Sequence, residues 1–147
     1  MRESIIFALP PVWNLTSVAR TLEACAHLKP SNLLAFDEQI EVWSPEGHGV
    51  IIEEMPDIDN QTGYLNKDEL LSDPDIDERF RQDLPALVLF AADFDDVNIV
   101  RRVLRCVMEA AAKNGDTAWI DACNGTSASE FLARIDQDPQ WDWRSGR

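Results

Sequence analysis

The sequence predicts a single α+β domain in which a mixed β-sheet of about five strands has helices packed against it. Short apolar and β-branched segments alternate with longer amphipathic ones, and turn residues separate them. No internal repeat, linker or low-complexity tract divides the 147 residues. We therefore predict one domain over residues 1–147, with residues 137–147 as a polar C-terminal tail.

The N-terminal half is expected to hold four strands and one helix. Residues 4–9 are apolar and β-branched, which predicts a strand that Pro10 and Pro11 end. An amphipathic helix follows and closes before Pro30. Its candidate N-caps are Asn14, Thr16 and Ser17. Three more strands are predicted at residues 32–36, 39–43 and 50–53, the last two joined by turn residues.

The C-terminal half is expected to be richer in helix. Residues 66–84 predict two short helices separated at Pro74. Residues 86–91 form a continuous apolar run, as in a strand buried on both faces. The clearest helix then runs to about Lys113, with acids before it and Asn-Gly after it. Residues 117–122 predict a last strand, and Ser127 with Glu130 predicts a capping box before a last helix.

The charge is strongly negative, with 27 acidic against 13 basic residues and a formal net charge of −14. Such a surface repels phosphate backbones, so we expect no nucleic-acid partner. It attracts a basic protein and speeds the encounter, although solubility alone also accounts for acidity. The N-terminal apolar run is too short for a signal sequence or a membrane span, which predicts a soluble, cytoplasmic protein without membrane contact.

The three cysteines are Cys25, Cys106 and Cys123. Their odd number and wide spacing argue against a disulfide framework and against a zinc site. Cys25 and Cys106 lie on predicted apolar helix faces, so we expect both to be reduced core residues.

Two segments resemble chemical sites, but one lacks the required spacing of ligands and the other lacks a base. Residues 57–69 resemble a calcium loop, yet no register supplies both the first carboxylate and the glycine and glutamate positions. Cys123 precedes a helix, yet neither His27 nor His48 is placed to act as its base. The six glycines form no phosphate loop. We therefore predict no catalytic, metal or cofactor residue, no cofactor, and a protein that is not an enzyme.

The partner-binding candidates are acidic groups and tryptophans. One acidic group surrounds Pro74, the second follows the buried strand, and the tryptophans stand in the tail. They are Asp73, Asp75, Asp77, Glu78, Asp93, Asp95, Asp96, Trp141 and Trp143. For the acids the alternative role is helix capping, and for the tryptophans it is packing on the core.

In its small size, acidity and mixed α/β pattern, the whole chain resembles the immunity proteins of bacterial polymorphic-toxin systems. The resemblance implies a cognate toxin domain as partner, neutralised when its active site is covered. Two other classes stay open: a small enzyme that uses carboxylates or Cys123, and an acidic adaptor or DNA mimic. A deep cleft with convergent polar groups favours the enzyme, whereas a flat or shallow acidic face favours occlusion.

Overall fold

The computed structural model describes residues 3–55, 67–120 and 125–138, and all structural statements below refer to them. Their strands and helices, in chain order, are β1 (Glu3–Leu9), α1 (Leu15–Glu23), β2 (Asn32–Ala35), β3 (Ile40–Trp43), β4 (Gly49–Glu54), α2 (Lys67–Ser72), α3 (Glu78–Asp83), β5 (Val88–Phe94), α4 (Val97–Lys113), β6 (Trp119–Ile120), β7 (Thr126–Ser127) and α5 (Ala128–Ile135).

These strands form one sheet of seven in the order β2-β3-β4-β5-β1-β6-β7. The α+β class is therefore confirmed. The prediction of a mixed sheet is wrong, because every pairing among the described strands is antiparallel. The reason is that β5, which follows the helical region in the chain, lies between β4 and β1 in the sheet. It runs opposite to both. The described sheet has seven strands where about five were predicted. One of the additional strands, β7, has two residues, which are too few to carry a periodic signal.

The main hydrophobic core lies between one face of the sheet and the helices α1, α4 and α5. Phe7 of β1 and Phe90 of β5 are cross-strand partners whose rings stack with centroids 5.3 Å apart. From α4, Val100, Val103 and Val107 are completely buried against this layer. The period of the α4 apolar residues, which predicted this helix, thus positions its buried face.

A second, smaller cluster covers part of the opposite face, over β5, β1 and β6. Phe80 of α3 and Trp119 of β6 stack there, with ring centroids 5.7 Å apart and planes at 7°. Leu89 and Ala91 of β5 face this cluster, while Phe90 and Ala92 face the main core. The prediction that this strand is buried on both faces is confirmed.

The helix starts use the caps that their sequences favour. Asn14 caps α1 by accepting from the Ser17 amide at 2.9 Å, and the Ser17 hydroxyl accepts from the Asn14 amide at 2.8 Å. At the start of α5, Ser127 accepts from the Glu130 amide, which is one half of the predicted capping box, while the Glu130 carboxylate accepts from the Ser127 hydroxyl. Each such cap satisfies a backbone donor that the helix leaves unpaired.

The cysteine prediction is wrong, because Cys25 and Cys106 form a disulfide. The bond joins the segment after α1 to the buried side of α4, across a sequence separation of 81. Cys106 lies in the core as expected and is 3% exposed, whereas Cys25 follows the end of α1 and is only partly buried against the core. A count of cysteines could not place them together, because their approach depends on how α1 packs on α4.

Within the described ranges, no helix is long and apolar enough to cross a membrane.

Candidate partner-binding face

The acidic group around Pro74 is used for local structure. Asp73 accepts from the Asp75 amide at 2.9 Å, and Glu78 pairs with Arg81 at 3.2 Å. Asp77 caps α3 by accepting from the Arg79 amide at 2.8 Å. The carboxylates remain at the surface, so their predicted role toward a partner stays a prediction.

Asp77 also belongs to a small ionic network that ties α3 to α5. Arg79 pairs with Asp77 and, at 2.8 Å, with Glu130. Burial raises the pKa of the Asp77 carboxyl. The hydrogen bonds and positive charge of Arg79 together lower that pKa by more than burial raises it, so the pKa lies below its usual value. Arg79 also donates to the Gly125 carbonyl at 3.2 Å. A Cβ at Gly125 would lie 2.4 Å from that of Asp77, so this corner is closely packed.

The second acidic group lies at the end of β5 and the start of α4. Asp96 caps α4 by accepting from the Asn98 amide at 2.7 Å, which is the capping role weighed above. Asp95 accepts from the Gly49 amide at 3.1 Å and so ties this corner to β4. The side chain of His48 is half-exposed. Its Nδ1 lies 3.7 Å from Asp95 Oδ1, and its Nε2 lies 3.8 Å from Asp96 Oδ2. Asp93 instead stands on the sheet, where it accepts from the Ser4 hydroxyl.

Four earlier candidates lie outside the described residues. Trp141 and Trp143, Cys123, and residues 57–66 of the calcium-like segment are among the residues that the structure does not describe. Their roles stay predictions. Among the residues that it does describe, no group of three His, Cys, Asp or Glu side chains could hold a metal ion.

Beyond the second cluster, the same sheet face is exposed at β2 and partly exposed at β3 and β4. Leu34 is 47% exposed and Phe36 is 54% exposed, so no described helix covers this end of the sheet. We call this surface the open face. Its side chains are Leu34, Phe36, Glu41, Trp43, Ile51, Glu53 and Asp93.

The register sets these side chains in rows, because cross-strand partners point to the same side of a sheet. Leu34 lies opposite Glu41, Glu41 opposite Ile51, and Ile51 opposite Asp93. One continuous row therefore alternates apolar and acidic groups across four strands. The open face offers both kinds of contact within a single antiparallel register.

Trp43 is held flat on the open face by its neighbours. A Cβ built on Gly49, its cross-strand partner, would lie 2.6 Å from carbons of the indole ring. The indole Nε1 donates to Glu41 at 2.9 Å, and Gln39 donates to the other oxygen of that carboxylate. The aromatic surface is thus fixed in orientation before any partner arrives, which reduces the entropy lost on binding.

We expect Gly49→Ala to displace the Trp43 indole, because the added methyl group needs the space that the ring fills. The measurement is the indole N–H resonance of Trp43 by NMR, assigned with a Trp43→Phe variant. Glu41→Gln is the matched control, since it alters the acceptor of the same N–H without adding bulk at Gly49. An indole resonance unchanged by Gly49→Ala would contradict the close packing described here.

The open face carries acids and no bases on its strands. The sequences of β1 to β5 contain neither lysine nor arginine. Glu41, Glu53 and Asp93 therefore set the sign of the charge on the strands of this surface. Sequence reasoning found Asp93 but missed the other members, because which strand lies at the edge, and which face stays uncovered, depends on strand order.

Two clefts among the described residues do not assemble a catalytic set. A cleft of about 260 Å³ between α4 and α5 is lined by arginines that are already engaged. Arg101 donates to the Ile135 carbonyl at 2.9 Å, and Arg105 pairs with Asp136. A second cleft, of about 370 Å³, lies beside Asp116 and Ser127 without a histidine or cysteine on its described walls. His27 lies elsewhere and pairs with Glu109 at 3.3 Å.

No protein-family model, curated protein or solved structure matches this chain.

Proposed function

We propose that this chain is a protein-binding module that docks a basic protein on the open face. The observation that carries the proposal is an uncovered sheet surface with exposed Leu34 and Phe36, a fixed Trp43 and carboxylates. Rows of apolar and acidic groups suit a partner surface on which lysine or arginine alternates with apolar side chains.

The two kinds of group have different tasks in this interface. Apolar and aromatic anchors supply most of the binding free energy, because their burial removes apolar surface from water. The acids, together with the net charge of −14, attract the partner and orient its approach. Binding should therefore associate faster at low ionic strength, while its dissociation rate depends mainly on the anchors.

Within this class we propose an immunity protein that occludes a cognate toxin domain. Its support is the resemblance in size, acidity and α/β pattern, together with an exposed face of the expected charge. Covering the substrate groove of a basic toxin would block it without any chemistry on the part of this chain. Neither a catalytic residue nor a cofactor is required. Asp93 would lie in the interface with Asp95 and Asp96 beside it, whereas the Asp73–Glu78 group, next to the second cluster, would attract the partner without contacting it.

The experiment is capture of the partner from the source cell with purified protein, followed by mass spectrometry. The test variant is Leu34→Lys with Phe36→Lys, which places two positive charges on the open face. We expect this variant to lose the basic partner, with an affinity at least about a hundredfold weaker for the isolated pair, as for loss of two anchors.

Val12→Lys is the matched control, because Val12 is an apolar side chain that is 75% exposed and outside the open face. It should capture the partner like the unchanged protein. Equal capture by the Leu34/Phe36 double variant would rule out the open face as the docking surface. Inhibition of the captured protein's enzymatic activity would then separate an immunity protein from an adaptor.

A further inference from the structure

Among the strands that the structure describes, β2 is the outermost member of the sheet and pairs only with β3. An edge strand has one side whose backbone groups are unused by its own sheet. Which residues present those groups can be derived from the hydrogen-bond pattern, since antiparallel pairs alternate between bonded and non-bonded.

Phe36 donates its amide to the Gln39 carbonyl at 2.9 Å, which makes these two residues a bonded pair. Two residues earlier in β2, Leu34 and Glu41 form the next bonded pair. Leu33 and Ala35 therefore turn their N–H and C=O groups away from β3. No contact of the described structure uses these outward groups.

The features with which proteins usually protect an edge are mostly missing here. β2 contains neither proline nor lysine, and its side chain Leu34 is exposed together with the following Phe36. Its shortness, four residues, and the exposed acids Asp37 and Glu38 directly after it are features that do protect the edge. Open backbone groups next to two exposed apolar side chains are the elements of a strand-addition site.

We infer that the basic partner adds an extended segment to β2 as an outer strand of this sheet. The inference rests on the proposed function and specifies its mode of binding. The added strand would pair with the backbone of Leu33 and Ala35. On one side of its pleat, its apolar residues would contact Leu34 and Phe36.

Charge favours a foreign segment over a second copy of this chain as the strand that is added to β2. Each copy carries a net charge of −14, and the exposed Asp37 and Glu38 lie in the turn directly after the edge. Edge-to-edge pairing of two copies would bring two chains of this net charge together, which costs free energy. A segment in which lysine or arginine alternates with apolar residues meets opposite charge instead.

The test uses a defined probe, a capped nine-residue peptide of alternating lysine and valine, titrated into the intact protein at low salt. We expect binding in the millimolar range or tighter, and slower amide hydrogen exchange at Leu33 and Ala35 by NMR. A peptide of the same sequence with N-methyl groups on its lysines lacks the N–H groups that face Leu33 and Ala35 when its valines contact Leu34 and Phe36. It should bind about tenfold more weakly, as for loss of one or two hydrogen bonds.

On the protein side, Ala35→Pro removes the outward N–H while leaving the inward bonds of Leu34 and Phe36. Proline is tolerated where an edge N–H faces solvent. We expect about tenfold weaker peptide binding. Ala35→Val is the matched control, since it keeps the N–H and should bind like the unchanged protein. Protection at Leu33 and Ala35 in the unchanged protein decides the question if the proline variant does not fold.

Several outcomes would overturn the inference. Peptide binding without protection of the two amides, or equal binding of the N-methyl peptide, would leave the open face as a docking surface but exclude strand addition. Absence of binding would exclude it too, while the capture experiment judges the open face independently. A concentration-dependent dimer in sedimentation that Ala35→Pro abolishes would make a second copy the occupant.

Discussion

Removal of the Cys25–Cys106 bond is expected to lower the free energy of unfolding by about 2 to 4 kcal/mol. The bond closes a loop of 81 residues in sequence, which contains β2 to β5 and α2 and α3. Breaking it frees that loop in the unfolded chain, whereas the folded chain keeps its core. The measurement is urea unfolding of Cys25→Ala with Cys106→Ala against the oxidised protein.

Two controls separate the cross-link from the side chains that form it. The unchanged protein under a strong reductant should unfold at nearly the same urea concentration as the double variant. Cys123→Ala, which keeps the bond, should unfold at nearly the concentration of the oxidised protein. If reduction leaves the unfolding midpoint unchanged, the bond contributes no stability and the loop argument fails.

The same bond tests the compartment, which the sequence predicts to be the cytoplasm. Disulfides are rare in a reducing cytoplasm, so the oxidised pair counts against that prediction. Alkylation of thiols in intact cells, followed by denaturation and a mass shift assay, counts the free cysteines. Three free cysteines would agree with the cytoplasm, whereas one would place the protein in an oxidising compartment.

Local patterns in the sequence predicted individual elements well. The α4 helix was visible in its apolar period, and the buried strand β5 in its continuous apolar run. The caps of α1, α4 and α5 were also visible, because an N-cap depends on residues within one turn of itself. These features are local, so neighbouring residues suffice to specify them.

Features that join distant parts of the chain were missed. The antiparallel insertion of β5 between β4 and β1 depends on contacts more than 30 residues apart. The disulfide and the open face follow from that same arrangement. Periodicity assigns a residue such as Leu34 to one side of a strand, but strand order decides whether that side is covered.

The acidic residues show a related limit. Asp77 and Asp96 were chosen for their charge, and the structure gives each a capping role. A capping carboxylate keeps its charge, so the two roles are compatible, and sequence alone could not separate them. By contrast, Glu41 was not singled out, although it holds Trp43 and Gln39 in the middle of the open face.

Trp119→Ala should be the most destabilising single substitution on the second cluster, at about 3 to 5 kcal/mol. Trp119 is 6% exposed and stacks on Phe80. Its indole N–H donates to Asp83 at 2.7 Å, and the Arg79 guanidinium lies 5.4 Å from its ring. The substitution thus removes the packing that holds α3 on the sheet, and urea unfolding measures the loss.

Trp119→Phe is the matched control. It keeps a ring against Phe80 and loses the hydrogen bond to Asp83, so we expect a loss of only about 1 kcal/mol beyond the change in packing volume. Equal losses for the two variants would mean that the hydrogen bond, rather than the stacked ring, holds α3. Relative to the unchanged protein, Trp119→Ala should speed amide exchange more in α3 than in α4. That result would locate the damage at the second cluster.

The same variant can separate the two candidate binding surfaces. Trp119→Ala releases α3 and the neighbouring Asp73–Glu78 group, while the open face lies over β2 to β4 at the other end of the sheet. Under conditions where the variant is still folded, we expect it to capture the partner with unchanged affinity, because the open face is intact. A marked loss of affinity would instead assign the Asp73–Glu78 group to the interface, as the charge pattern of the sequence predicted.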